Sequence, residues 1–200
     1  MSAIRRMMMA KQENNLIFRT TSQVYAPCIV GSDWEKMRFA GEFASQNDFT
    51  SAVKYCNVFS DYTDESTHRC WRLLPYKNND CYGTLGTLAS QTSYYNTGVD
   101  FANDVWHTFD MYYVGGAASV ASSRLFIDDV QMSIRRMVDS GTINTTKHIY
   151  LGKTYDWKWF KIWRNNVLEV DCIPKMNNGV VGFYDRVHGI FLPTNESDLN

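Results

Sequence analysis

Two stretches near the C-terminus, Trp157–Pro174 and Gly179–Pro193, most restrict what this chain can fold into. Each alternates strand-forming residues with turn residues. Asn165-Asn166 divides the first into two strand-like runs, and asparagine tolerates the positive φ that a two-residue hairpin turn demands. Pro174 lacks a backbone donor and is expected to end the second run. Gly179, Gly182 and Gly189 punctuate the last pair. In Trp157–Arg164, strict alternation puts Trp157, Trp159, Lys161 and Trp163 on one face. The other face then carries Lys158, Phe160, Ile162 and Arg164.

The rest of the chain reads the same way. Strand candidates are 16–20, 36–44, 54–59, 69–74, 97–101, 106–114, 124–127, 130–134 and 148–152, then 157–164, 167–173, 180–184 and 189–192. No segment has the 3.6-residue periodicity of a long amphipathic helix. Arg124-Leu-Phe-Ile-Asp-Asp-Val-Gln-Met reads as strand, Asp128-Asp129 turn, strand. Short strands with turns every 8–12 residues predict an all-β, antiparallel sandwich over residues 16–200. Met1–Asn15 shows no strand alternation and is expected to be an arm outside the core. At 200 residues and 44% hydrophobic, one sandwich with a substantial core is the natural arrangement.

The C-terminal run resembles the terminal strands of concanavalin A-like lectin/glucanase (laminin G-like) domains. Those often read as a Lys-Ile-aromatic strand, an Asn-rich turn, a Val-Leu-x-x-Asp-x-Ile-Pro strand and a Gly-x-Tyr-Asp-x-Val-x-Gly-x-Phe segment. The matching residues are Lys161, Ile162, Trp163, Asn165, Asn166, Val167, Leu168, Asp171, Ile173 and Pro174, then Gly182, Tyr184, Asp185, Val187, Gly189 and Phe191. Asn96-Thr-Gly-Val-Asp-Phe, Trp106-His-Thr-Phe, Arg124-Leu-Phe-Ile-Asp-Asp and His148-Ile-Tyr-Leu-Gly resemble earlier segments, with Asp129 replacing a family glycine. The resemblance is clear over Asn96–Pro193 and weak over Leu16–Thr92. It implies a jelly-roll form of the sandwich, with Phe160 and Ile162 in the core and the tryptophan face open to a sheet surface, a partner or another layer.

Catalytic patterns are missing. The glucanases of this superfamily carry a Glu-x-Asp-x-(x)-Glu signature, whose carboxylates do the acid/base and nucleophilic work. None of the glutamates here, Glu13, Glu35, Glu42, Glu65, Glu169 or Glu196, forms it. Glu169 and Asp171 are two apart and read as a solvated strand face. There is no Gly-x-Ser-x-Gly elbow and no phosphate-binding glycine loop. His68, His107, His148 and His188 lack metal-ligand spacing, and His107 reads as core or edge packing. Cys28, Cys56, Cys70, Cys81 and Cys172 lack paired short spacing and are expected to be mostly reduced thiols. No cofactor is expected. Calcium has candidate loop carboxylates in Asp128-Asp129, Asp61/Asp64/Glu65 and Asp100/Asp104, each of which also suits an ordinary turn.

Twenty basic residues balance 21 acidic ones, which gives no footprint for nucleic acid. No apolar run is long enough to insert in a bilayer. The N-terminus offers only a four-residue apolar stretch, Met7–Ala10, too short for a signal-peptide core. The strongest binding feature is aromatic: Trp157, Trp159 and Trp163 are candidates for glycan stacking, for a subunit interface or for packing within the chain. Tyr62, Tyr76, Tyr82, Tyr94 and Tyr95 are read as loop tyrosines suited to either binding role.

The family resemblance implies a non-enzymatic phage virion surface protein, a fibre or decoration subunit adhering to host or mucosal glycans. It would form a homo-oligomer, with a trimer favoured, and attach to other virion proteins through residues 1–15. The alternatives are a carbohydrate-binding module on a bacterial cell surface and, behind it, a divergent glycoside hydrolase.

Overall fold

A computed structural model describes residues 16–21, 24–30, 34–46, 58–60, 72–76, 80–84, 92–96, 98–99, 101, 104–114, 122–136 and 147–193. Side chains at 27–30, 76, 80–84, 92–96, 122–123, 134–136 and 147–148 fall outside that description. Every regular element among these residues is a strand. In chain order they are β1 (Phe18–Thr20), β2 (Val24–Val30), β3 (Lys36–Ser45), β4 (Phe59–Ser60), β5 (Arg72–Tyr76), β6 (Asp80–Thr84), β7 (Thr92–Asn96) and β8 (Trp106–Val114). Next come β9 (Ser122–Ile127), β10 (Val130–Gln131), β11 (Ser133–Arg136), β12 (Lys147–Leu151), β13 (Tyr155–Arg164), β14 (Val167–Asn177), β15 (Val180–Asp185) and β16 (Ile190–Leu192).

They form two antiparallel sheets. The first runs β10-β9-β8-β3-β13-β14-β15-β16, with β1 added beside β13. The second runs β11-β7-β6-β5-β4-β12-β2. The sheets face each other over one apolar layer, and Phe59 of the second sheet shows this most directly. Its ring stacks on Phe39 at 4.8 Å and meets Phe109 at 5.6 Å and Phe160 at 5.9 Å, all three from the first sheet. Val24, Leu73, Ile149 and Leu151 join the same buried cluster from the second sheet. β8 shows how sequence produces this layer. His107, Phe109, Met111 and Tyr113 are buried, while Trp106, Thr108, Asp110 and Tyr112 between them are half-buried on the outer face.

The hairpin turns have the expected chemistry. Asp128 and Asp129 (φ 50° and 63°), Asn165 and Asn166 (50° and 66°) and Asn178-Gly179 (48° and 82°) all have positive φ at both central positions. Such paired left-handed residues match the right-handed twist of the strands they join.

The Tyr-Asp-x-Val-x-Gly segment also has a physical role. Asp185 is fully buried, and its Oδ1 accepts the N–H of Asp171 (2.8 Å) and of Val187 (3.2 Å). Its Oδ2 accepts the N–H of His188 (3.3 Å) and is paired with His188 Nδ1. The carboxylate thus shapes the 186–189 turn, which Gly189 completes at φ 70°. Gly182 answers to a close approach: a Cβ there would stand 2.6 Å from the Leu192 carbonyl oxygen and 2.6 Å from Phe191 Cζ.

Several expectations are corrected. Pro174 does not end its strand, since β14 continues to Asn177 and Pro174 pairs with Phe183. Asp171 directs both its N–H and its carbonyl toward the Asp185–Arg186 side. Alternation then turns Pro174 toward β13, where pairing has already stopped at Phe160↔Cys172, so its missing donor costs no ladder bond. The strand expected at 97–101 lies instead at Thr92–Asn96, and β2 and β6 were not anticipated. Tyr76, Tyr82, Tyr94 and Tyr95 lie on strands rather than loops, in keeping with the β-preference of tyrosine. The expected arm, Met1–Asn15, and Tyr62, Asp61, Asp64, Glu65 and Asp100 lie outside the described residues. Cys172 is buried on β14 and is not in a disulfide, and the other cysteine side chains lie outside the description.

Candidate functional site

β13 is the centre of the first sheet, and its register breaks once on each side. Against β3, Trp157 pairs with Phe43 but Trp159 pairs with Glu42, so Lys158 is an extra residue in the ladder. A bulge of this kind puts two successive residues on the same side and re-aims the side chains beyond it. The consequence overturns the simple alternation. Trp157 is fully buried with Tyr155, Phe160 and Ile162, and does not share the outer face with Trp159 and Trp163. Five rings surround it: Phe43, Phe109, Tyr155, Phe160 and Phe183, at centroid distances of 5.8–6.5 Å. Trp157 is therefore corrected from surface candidate to core residue. Against β14 the break falls between Ile162 and Trp163, leaving Glu169 as the extra residue.

β13 also changes neighbour. Beyond Phe160↔Cys172 its free side is taken over by β1, with Phe18 opposite Trp157. β14 continues alone with β15. Where the two part, a cleft of about 390 Å³ opens, lined by Leu16, Lys158, Trp159, Lys161, Ile173, Pro174 and Arg186. Bulge, change of partner and proline all fall at this point. Trp159 is half-buried in the cleft, and its Nε1–H reaches Glu42 Oε2 at 3.3 Å. The other oxygen of Glu42 pairs with Lys158, whose ammonium also sits 4.3 Å from the centre of the Trp106 ring. Glu42 thus fixes both residues of the bulge. On the far wall Arg186 donates to Asp171 Oδ2 from Nε (2.9 Å) and Nη2 (2.6 Å).

Trp163 has different surroundings. Arg38 lies 4.5 Å from the Trp163 ring centre and 4.9 Å from that of Tyr112, between two aromatic faces. It also holds Asp110 with two hydrogen bonds, at 2.9 and 2.6 Å. That bonding to Asp110 raises the Arg38 pKa above its ordinary value. Tyr112 is likewise raised, first by burial and then by the Asp110 charge. The Trp163 face covered by Arg38 is closed to a ligand. Trp163 borders a smaller hollow of about 210 Å³, and a third cleft of about 560 Å³ lies over β8 and β9 at Asp110, Tyr112, Val114, Arg124, Phe126 and Asp129.

The remaining candidates have structural settings. His107 is buried, packs edge-on against Phe101 at 5.2 Å, and places Nδ1 2.8 Å from Asp128 Oδ2. Asp128 Oδ1 accepts the Thr108 N–H at 2.8 Å, so this carboxylate ties its turn to β8. Among the described residues, no three His, Cys, Asp or Glu side chains group as metal ligands. Glu169 and Asp171 are not a solvated face: Glu169 is half-buried and bonded to Arg164 Nε at 2.7 Å, and Asp171 is 7% exposed. No sequence signal marks Asp171 as buried, because the splitting of the sheet around it depends on strand partners distant in the chain.

No protein-family model matches this chain, and no curated protein does. Among solved structures, the receptor-binding domain of botulinum neurotoxin mosaic serotype C/D is similar with a TM-score of 0.47 and 10% identity. That match covers 75% of this chain and 47% of the toxin chain, so this chain spans about half the toxin domain's length. An alginate lyase in complex with an alginate tetrasaccharide gives a TM-score of 0.28 at 12% identity, over 71% of this chain and 76% of the lyase. A second structure of that lyase, with an alginate trisaccharide, gives 0.29 at 10% identity, over 74% and 78%. At these scores the likenesses carry no argument about what this chain binds or does.

Proposed function

We propose that this protein is a non-enzymatic glycan-binding module, a jelly-roll sandwich of the concanavalin A-like kind, that adheres through the cleft at Trp159. One observation carries the reading: the cleft opens where the sheet divides, and a half-buried tryptophan lines it, held by Glu42 through its indole N–H. A flat ring anchored at its edge offers a fixed apolar surface on which the C–H face of a sugar stacks, with polar side chains around it for hydroxyl groups. The family resemblance supports placing the module on a phage virion surface as a fibre or decoration subunit, forming a homo-oligomer. A module on a bacterial cell surface is the second setting that resemblance allows.

A glycan array probed with the full chain tests the adhesive reading. Selective binding is expected, weakened about tenfold or more by Trp159→Ala, as befits a central aromatic anchor. Trp163→Ala is expected to have a smaller effect. An array silent for the wild type, or binding indifferent to Trp159→Ala in a folded variant, would overturn the proposal.

A further inference from the structure

The charges around the cleft narrow its ligand further, on the premise that the cleft binds glycans. Three cations, Lys158, Lys161 and Arg186, line it, against the carboxylates of Glu42 and Asp171. Their commitments differ. Lys158 is paired with Glu42, and Arg186 gives two donors to Asp171 Oδ2. The Lys161 ammonium makes no hydrogen bond among the described residues and stands 5.7 Å from the centre of the Trp159 ring. Its Nζ lies 3.7 Å from Asp171 Oδ1, beyond hydrogen-bonding distance.

Asp171 positions two of these cations. Its side chain is nine-tenths buried between Lys161 and Arg186, and its Oδ1 is a buried oxygen with no hydrogen-bond partner. That oxygen has almost no surface open to a ligand, so Asp171 acts from beneath the cleft, holding Lys161 by charge and Arg186 by two hydrogen bonds. Lys161 and Asp171 face each other across β13 and β14, so strand pairing itself sets this spacing. The ammonium's donors are left for a ligand, and the three cations of the cleft outnumber the two carboxylates beside them by one.

We infer that the cleft selects an anionic glycan, whose sugar ring stacks on Trp159. The carboxylate or sulfate of the sugar pairs with Lys161 and the outer edge of Arg186, and Lys161 distinguishes a charged sugar from a neutral one.

Calorimetry on the full chain with four probes tests this: tetragalacturonate, its methyl ester, a heparin tetrasaccharide and cellotetraose. The expected result is binding of at least one anionic probe, at least tenfold tighter than either neutral one. That binding should weaken several-fold between about 50 and 300 mM salt, as screening shortens the reach of exposed charges. Lys161→Gln should remove most of the preference and flatten the salt dependence, with the melting temperature unchanged. Neutral probes bound as tightly as anionic ones, with both lost in Trp159→Ala, would overturn the anionic preference and leave the glycan site standing. No binding of any probe at millimolar concentration would overturn both.

Discussion

Replacing Trp157 with alanine is expected to destabilise the fold by about 3–5 kcal/mol, the range for truncating a large buried aromatic side chain. In a domain of this size that lowers the melting temperature by on the order of 10 °C. The expectation rests on position. Trp157 is fully buried at the centre of five aromatic rings, so truncation leaves a void that several bulky neighbours cannot jointly fill. Its Nε1 has no hydrogen-bond partner among the described residues, which separates two substitutions. Trp157→Phe removes that stranded donor and keeps most of the ring, so its cost should stay below about 1.5 kcal/mol. Thermal and denaturant unfolding of the two variants check this. Equal, small losses for both would mean that Trp157 lies on the surface and that the bulge at Lys158 is absent.

Loss of the Asp185 carboxylate should come next in size. Asp185→Ala leaves the backbone N–H groups of Asp171, Val187 and His188 without their acceptor, two of them in the 186–189 turn. The buried Asp171 donor costs about 1–3 kcal/mol when left unsatisfied, and the two donors in the exposed turn, which water can reach, add less. Asp185→Asn keeps one oxygen and should lose less. His188→Ala removes one partner from the edge of the turn and should lose least, since its side chain is 40% exposed. Hydrogen exchange gives a local readout that global melting does not. In Asp185→Ala, the amides of Val187 and His188 should lose protection before those of β13. Unchanged protection in the turn would show that its own backbone, and not the carboxylate, holds it.

These two residues mark what the sequence disclosed and what it did not. The turn chemistry was legible because it is local: Asp128-Asp129 and Asn165-Asn166 occupy left-handed positions, which few other side chains tolerate. The strands of the C-terminal half were legible because alternation there is strong. The bulge was not. Tyr155, Trp157, Trp159, Phe160, Ile162 and Trp163 are nearly all apolar, so one inserted residue leaves no visible break in the pattern. The spacing of three between the inward residues Trp157 and Phe160 is its trace, readable only once burial is known. The polar strands β6 and β7 lacked an alternating apolar signal. The cleft depended on β13 exchanging β14 for β1, a pairing between residues more than 130 positions apart. Lys161 and Asp171 lie opposite each other in the β13–β14 hairpin, but the cleft that opens beyond them could not be read from the sequence.

The central claim, that a glycan occupies the cleft at Trp159, is tested most directly by following the six indole N–H signals of the ¹⁵N-labelled full chain during titration with an array-selected oligosaccharide. The Trp159 signal, assigned by its loss in Trp159→Phe, should shift most and saturate with the binding curve, while Trp157 stays fixed in the core. A saturating shift at another tryptophan, with Trp159 unmoved, would contradict it.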